Sequence, residues 1–471
     1  MDKSTLDSLF SPENFRATGH ALIDVLAEYL ANNLCGQGAV LDWKAPAEAA
    51  QRWRRALPKQ AQLAPDQLLH TIRQDILGAS LHIHHPRNLG HQVAPPLPMA
   101  ALCDLVAALT NQAMAVYETG PSATLLEQQV IRWLGELVGW QNTEGVLTSG
   151  GAQANLTALL AARQVKSGGN VWRHGVREGS RILACEHTHY SVSRAAGIMG
   201  LGTDAVIKVA ADDAGRMDFD ALRAAWTCCE QEDNRPFAVV ATAGCTPTGS
   251  MDPLRKIGEF CRAHELWLHV DGAHGASALL SDTLRPQLDG IALADSVVWD
   301  GHKLLYMPAT VSAVLFRDPR HSYAAFAQEA SYLFQGNNDS EEVWNTSYRT
   351  LECTKRMMGL KLWAAFNLYG TRQLGALVEH VFASAKRLAD KLAAVPDFEL
   401  LMPPQTNIVC FRPRAVDPVI VRRKLVESGA FHLTQVRLRE QNWLRTTIMN
   451  PYTADKDFDA LIVTINSLNK P

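Results

Sequence analysis

The residue types best suited to covalent chemistry stand just after two apolar runs. Leu268-His269-Val270 leads into the carboxylate of Asp271, and Ser296 to Trp299 leads into Asp300, Gly301, His302 and Lys303. Open α/β sheets gather their ligand groups at the carboxyl ends of strands, so Asp271 and Lys303 are expected to face one crevice. The span between them can hold one crossover helix. A lysine in a confined apolar site loses proton affinity through desolvation, which lets it act as a nucleophile near neutral pH. Upstream, Val146 to Asn155 reads as a strand, a glycine turn and a helix start, whose backbone N–H groups can converge on an anion. Gly151 and Ala152 would form that cup.

Singly, each segment has an ordinary explanation: a helix cap, a chain reversal, a surface lysine. Together they supply what pyridoxal phosphate (PLP) catalysis requires. An amine forms the Schiff base, an acid keeps the pyridine nitrogen protonated, and a cradle holds the phosphate. Lys303, Asp271 and the Gly151–Ala152 turn are the candidates for these three tasks.

The elements that must position them alternate in type. Strands are expected at Val146 to Thr148, Ile182 to Cys185, Val206 to Val209, Phe237 to Thr242, Leu266 to Asp271, Ser296 to Trp299 and Val311 to Phe316. Helical patterns between them imply parallel pairing with right-handed crossovers, and near-continuous apolar runs fit strands covered on both faces. Ahead of this body, Ser11-Pro12-Glu13 is a helix start, with Phe15, Leu22, Leu26 and Tyr29 at helical spacing and Gly36 beyond the end. From about residue 371 a long helical region precedes strands near Asn407 to Phe411 and Trp443 to Ile448. The expected division is an N-terminal helical segment over 1–95 that packs on a partner subunit, a large domain over 96–370, and a small α+β domain over 371–471.

With 471 residues, 47% of them hydrophobic and 20% charged, the chain can bury a large core. A net charge of −3 gives no bias toward nucleic acid or an anionic membrane. The nine cysteines lack the spacing of zinc sites or disulfide frameworks, the N-terminus lacks a signal pattern, and no apolar run is long enough to span a bilayer. A cytoplasmic protein is expected. His82, His84, His85 and His91 cluster without carboxylate or cysteine at ligand spacing, so no metal is expected. Gly200-Leu201-Gly202 imitates a dinucleotide fingerprint, but it precedes a strand and reads as a helix stop.

The chain resembles the group II PLP-dependent amino acid decarboxylases of fold type I, from about Asn14 to the C-terminus. The resemblance rests on His85-Pro86-Arg87, Thr148 to Gly151, Glu186 to Ser191, His269-Val270-Asp271, Asp300 to Lys303 and Leu444 to Pro451. It implies an α/β fold with a mostly parallel central sheet, PLP as cofactor, and release of carbon dioxide from an L-amino acid to leave the amine. It makes His189 the imidazole stacked on the cofactor ring, Asp271 the acid at the ring nitrogen and Lys303 the Schiff-base lysine. Thr246 and Ala273 would lie near the ring, and Asp300 and His302 around the phosphate and substrate. Gly272, His274 and Gly301 depart from the family's usual residues.

By the same resemblance the site is shared across a homodimer, and a tyrosine on a mobile loop of the neighbouring subunit protonates Cα. Tyr348 is the candidate, with Tyr332 the alternative. A phenylalanine in that place accompanies oxidative deamination to aldehydes, so retention of Tyr348 favours the amine. Transamination or decarboxylation-dependent oxidation is the rival activity. A non-catalytic PLP-binding protein is disfavoured because the lysine and the aspartate are both present, and a sensing regulator would need a basic DNA-binding module. The substrate pocket is expected near Asn88 to Pro96, with His91 as a contact, and Arg445 as a bidentate partner for the substrate carboxylate or a member of a structural ion pair. The side chain of that substrate is left open.

Overall fold

The computed structural model describes residues 2–326 and 341–468. Its centre is a seven-stranded sheet of β1 (Glu144–Thr148), β2 (Ser180–Cys185), β3 (Val206–Val209), β4 (Arg235–Thr242), β5 (Trp267–Asp271), β6 (Ser296–Asp300) and β7 (Ser312–Phe316), in the order β1-β7-β6-β5-β4-β2-β3. β2 to β6 pair in parallel, with Val270 beside Val297 and Ala241 beside Val270. Both faces of β5 and β6 are buried, which is why these strands are apolar without alternation.

β7 departs from the expected parallel pairing: it runs antiparallel to both β6 and β1. Residues 301–311 between β6 and β7 contain no helix. A parallel return needs a crossover of a dozen or more residues, and this shorter link turns the chain straight back. The reversal sets Ser312 of β7 directly beside Asp300 of β6.

β1 lies at one end of the sheet order, and its outward groups at Leu147 are taken by side chains. The Leu147 N–H donates to Glu127 Oε1 at 3.0 Å, and Lys355 Nζ donates to the Leu147 carbonyl at 2.6 Å. Lys355 and Glu127 also pair with each other, both side chains being almost wholly buried. Burial pulls the Lys355 ammonium below its ordinary value against the opposing pull of Glu127.

Two compact units divide the chain. One comprises Gln92–Lys386 with Met402–Val409 and holds the large sheet. The other comprises Met1–His91, Arg387–Leu401 and Cys410–Pro471, so the N-terminal segment groups with most of the C-terminal region. In that unit the helix Pro12–Leu34 starts where the capping signals place it, Ser11 Oγ accepting from the Asn14 N–H at 3.1 Å. A smaller sheet has the order β10-β11-β9-β8, from β8 (Phe398–Leu400), β9 (Ile408–Pro413), β10 (Thr434–Leu438) and β11 (Gln441–Thr447). Its β8–β9 and β10–β11 pairs are antiparallel.

The long helical stretch begins earlier than expected, at Gly359, and runs to Ala393 with a non-helical break at Gly370. The helix Ser191–Ile198 ends before Gly200 and Gly202, both at positive φ, and β3 follows. That succession makes the glycine pair a helix stop.

Candidate active site

One cavity of about 190 Å³ opens at the carboxyl ends of the central strands. Gly151, Ala152, His189, Thr246, Asp271, Ala273, Asp300, His302 and Lys303 all line it. Asn155, Thr242, Gly244 and His274 line it too, and none of these four was assigned from sequence.

Lys303 sits one turn past the end of β6, its side chain 17% exposed, with Nζ 2.9 Å from Asp300 Oδ2. His302 Nε2 lies 3.6 Å from the same oxygen, while the Ser312 hydroxyl donates to Oδ1. Burial would raise the Asp300 carboxyl, yet the charges of Lys303 and His302 and the Ser312 hydrogen bond outweigh it and hold it below the usual range. Asp300 is therefore an ionised, fully occupied anchor for the lysine.

Asp271 ends β5 and is held by a buried polar chain. Trp267 Nε1 donates to Ser296 Oγ at 2.9 Å, and that hydroxyl lies 2.8 Å from His269 Nδ1. His269 Nε2 meets Asn155 Oδ1 at 2.9 Å, and Asn155 Nδ2 donates to Asp271 Oδ2 and to Ser191 Oγ, both at 2.9 Å. The amide orientation fixes the rest: an Asn155 oxygen can only accept, so His269 must carry its proton on Nε2 and take the Ser296 proton on Nδ1. Burial holds His269 down to about 4, consistent with that neutral form. Asp271 Oδ1 accepts from the Ala273 N–H at 3.2 Å.

The same chain reaches His189. Ser191 Oγ, which accepts from Asn155, lies 2.8 Å from His189 Nδ1, and the Ser191 N–H also points at that nitrogen at 3.3 Å. His189 Nδ1 is thus the acceptor. Burial lowers this imidazole, with Asp271 opposing and Lys303 assisting, so the neutral form is favoured.

Two glycines of the cavity wall allow close approaches that a side chain would prevent. A Cβ on Gly151, the first residue of the helix Gly151–Lys166, would stand 2.9 Å from Asp300 Oδ1, so any side chain there would crowd the carboxylate at the mouth of the helix. Gly244, at φ +85°, lies so close to the Gly275 backbone that a Cβ would meet its nitrogen at 2.8 Å. PLP fits this donor set: a confined amine, a carboxylate with bonded support, a neutral imidazole and a helix whose first residue, Gly151, carries no side chain.

Tyr348 is not among the residues lining this cavity. It ends a short turn, Thr346–Tyr348, pinned by Asn345 Oδ1 accepting from the Tyr117 N–H at 2.9 Å and by the Ser347 N–H donating to the Ala115 carbonyl. Tyr332 lies outside the described residues. His91 and Arg445 belong to the other unit, where burial and the charge of Arg445 both lower His91. The His91 ring centroid is 5.7 Å from that of His432, and the buried Arg445 donates from Nη1 to Thr434 Oγ1 at 3.3 Å. Among the described residues no group of three or more His, Cys, Asp or Glu side chains is arranged to hold a metal ion.

Asn155 was legible in one respect only: it is an amide near the start of a helix, between the apolar Ala154 and Leu156. Its partners lie 36 to 116 residues away in sequence, beyond the reach of local pattern.

Residues 50–414 match the family described as the pyridoxal-dependent decarboxylase conserved domain. The chain is 31% identical over 468 residues to cysteine sulfinic acid decarboxylase of Mus musculus, covering 95% of this chain and 94% of that one. It is 33% identical over 370 residues to L-2,4-diaminobutyrate decarboxylase of Acinetobacter baumannii, covering 75% and 72%. The crystal structure of mouse CSAD superposes with a TM-score of 0.89 at 29% identity, over 98% of this chain and 99% of that one. The chain belongs to the pyridoxal-dependent decarboxylases, carboxy-lyases that take pyridoxal 5'-phosphate as cofactor and release carbon dioxide from an amino acid to leave an amine.

Proposed function

We propose that Lys303 is the residue that would hold the cofactor through its amine, with Asp271 toward the ring nitrogen and Gly151 and Ala152 cupping the phosphate. The observation that carries this reading is the meeting of all four, from three separate stretches of sequence, in one cavity. When bound, PLP supplies the electron sink for the pair left at Cα by departing carbon dioxide. The protein's part is to hold protons and charges in place.

Asp271, held by Asn155 and the Ala273 N–H, would be the carboxylate partner of the ring nitrogen. His189, kept neutral by burial and by the Ser191 groups at Nδ1, would cover the ring. Thr246 and Ala273 would flank the ring, and Asp300 holds Lys303 while His302 shares its carboxylate. This makes Asp300 a counter-ion for the lysine, standing beside the Gly151 turn. His91 and Arg445 remain candidates for substrate contact from sequence, Arg445 because a guanidinium matches a carboxylate.

The biological unit is a homodimer. Support comes from the helix Pro98–Thr110, whose Leu102, Leu105, Val106 and Leu109 form one exposed apolar stripe, Leu109 at 67%. In the other unit Phe10, Phe15 and Ile23 are also exposed. The tyrosine that protonates Cα is Tyr348 supplied by the second copy, which accords with its absence from the cavity of its own chain. A cytoplasmic location accords with nine free cysteines.

The relatives' names attach one enzyme to an acidic substrate and another to a basic one, so they do not select a side chain here. The test is product analysis of PLP-loaded protein over acidic, basic, aromatic and small amino acids, scoring carbon dioxide, amine, aldehyde and peroxide. Stoichiometric amine and carbon dioxide are expected. Borohydride should fix cofactor to the wild type and not to Lys303→Ala; fixation in that variant would remove Lys303 from the role. Tyr348→Phe should still release carbon dioxide but form aldehyde and consume oxygen. Unchanged amine from that variant, with the switch appearing in Tyr332→Phe, would transfer the role to Tyr332.

A further inference from the structure

A second cavity, of about 290 Å³, lies at the opposite end of the strands, where β2, β4 and β5 begin. Its wall includes Arg163, Lys166, Arg177, Arg235 and His264, with Glu265 the one carboxylate. Arg163 and Lys166 stand in the last turn of the helix Gly151–Lys166, where cations offset the negative end of the helix dipole. That accounts for two of the charges. Arg177 and Arg235 come from other segments, the first just before β2 and the second opening β4.

Among the described residues these charges are poorly cancelled. Arg163 is only 9% exposed, yet it makes no ion pair among the described residues. Its Nη1 donates to the Met199 carbonyl at 3.0 Å, while its Nε–H is buried without a hydrogen-bond partner. A buried, incompletely bonded guanidinium costs free energy unless something meets it. Lys166 and Arg177 likewise form no ion pair among the described residues, and Arg235 reaches only Asp233, at 3.5 Å between two exposed side chains. Three arginines and a lysine thus line one cavity with a single carboxylate among its described residues.

We propose that this cavity is a binding site for a small polyanion, a phosphorylated or polycarboxylate metabolite, separate from the cofactor cup at the other end of the same helix. Guanidinium forks match phosphate and carboxylate oxygens two at a time, so three arginines with a lysine select for clustered negative charge over a single carboxylate. The substrate amino acid, with its own ammonium group, is a poor fit to such a wall.

The test uses the PLP-loaded full chain in phosphate-free buffer, so that the cofactor's own phosphate occupies the cup. Calorimetric titrations with pyrophosphate, inorganic phosphate and citrate are compared for the wild type and the Arg177→Ala/Arg235→Ala variant, whose substitutions are exposed and outside the catalytic cavity. Saturable binding of one polyanion per chain is expected, weakened about tenfold or more in the double variant, with amine production in the absence of anion unchanged. Pyrophosphate binding more tightly than citrate identifies the phosphorylated class, and the reverse order the polycarboxylate class. Arg163→Met should weaken binding further. No saturable binding of any of the three anions, or equal binding by wild type and double variant, overturns the proposal.

Discussion

Asn155 joins three functional side chains through one amide. Its nitrogen supports Asp271 and Ser191, and its oxygen fixes the tautomer of His269. Leucine at this position would keep the volume but withdraw a hydrogen bond from a buried carboxylate and strand the His269 N–H. A charge-assisted bond of this kind contributes about 1.5–3 kcal/mol, so Asn155→Leu should weaken PLP retention or turnover by about ten- to a hundredfold. Cofactor titration by absorbance and kcat measured side by side would check it, and an unaltered variant would mean that Asp271 does not depend on this amide. At this scale the sequence was readable where chemistry follows from type and position: Lys303, Asp271 and the glycine turn announce themselves beside strand ends. It was unreadable where a residue matters through partners brought in by folding. Thr242, Gly244 and His274 carry no local signal, since an apolar strand end, a glycine and a histidine each suit many environments.

Among the elements, β1 illustrates how a strand can be completed by side chains. Lys355 and Glu127 come from stretches 228 residues apart and bond both backbone groups of Leu147, two residues before the turn that leads to Gly151. Lys355→Met should leave Glu127 buried and unpaired, lowering stability by about 3–5 kcal/mol. Adding Glu127→Gln should recover part of that loss, because the remaining amide need not be charged. Urea unfolding of the single and double variants measures both effects, and a single variant as stable as the wild type would show that the pair is not needed to complete the strand. The strands themselves were legible from their apolar runs. The antiparallel turn of β7 was not, because apolar content says where a strand is and only the length of the link from Gly301 to Val311 says which way it runs.

For the whole molecule, acid sensitivity follows from three buried groups. His269 and His432 are both held to about 4, His269 chiefly by burial and His432 by burial with help from the charges of His91 and Arg422. Each stays neutral in the folded chain while its unfolded counterpart takes up a proton near pH 6.5, so each contributes stability that is present above that pH and lost as pH falls toward 4. Asp252 acts in the opposite sense: burial pushes it up to about 6 despite the Met217 and Thr242 N–H groups bonded to it. Its contribution is present below its unfolded value and is lost as pH rises through about 6. Each shift corresponds to roughly 3 kcal/mol, so two histidines outweigh one aspartate and acidification from about pH 7 to about pH 4.5 should lower the unfolding midpoint. A midpoint that rises over that range would show that the histidines do not dominate. Dimer formation is a separate question at this scale, checked by light scattering: Leu105→Lys/Leu109→Lys should yield monomers with little decarboxylase activity, and a fully active monomer would reject a shared site. The closed flank of β1 bears on how such copies meet. With both outward groups of Leu147 occupied, an incoming chain finds no free hydrogen-bonding pair there, and the central sheet resists growth into a continuous ribbon at that strand. A chain that loses Lys355 would offer a sticky margin at that strand as well as a weaker fold.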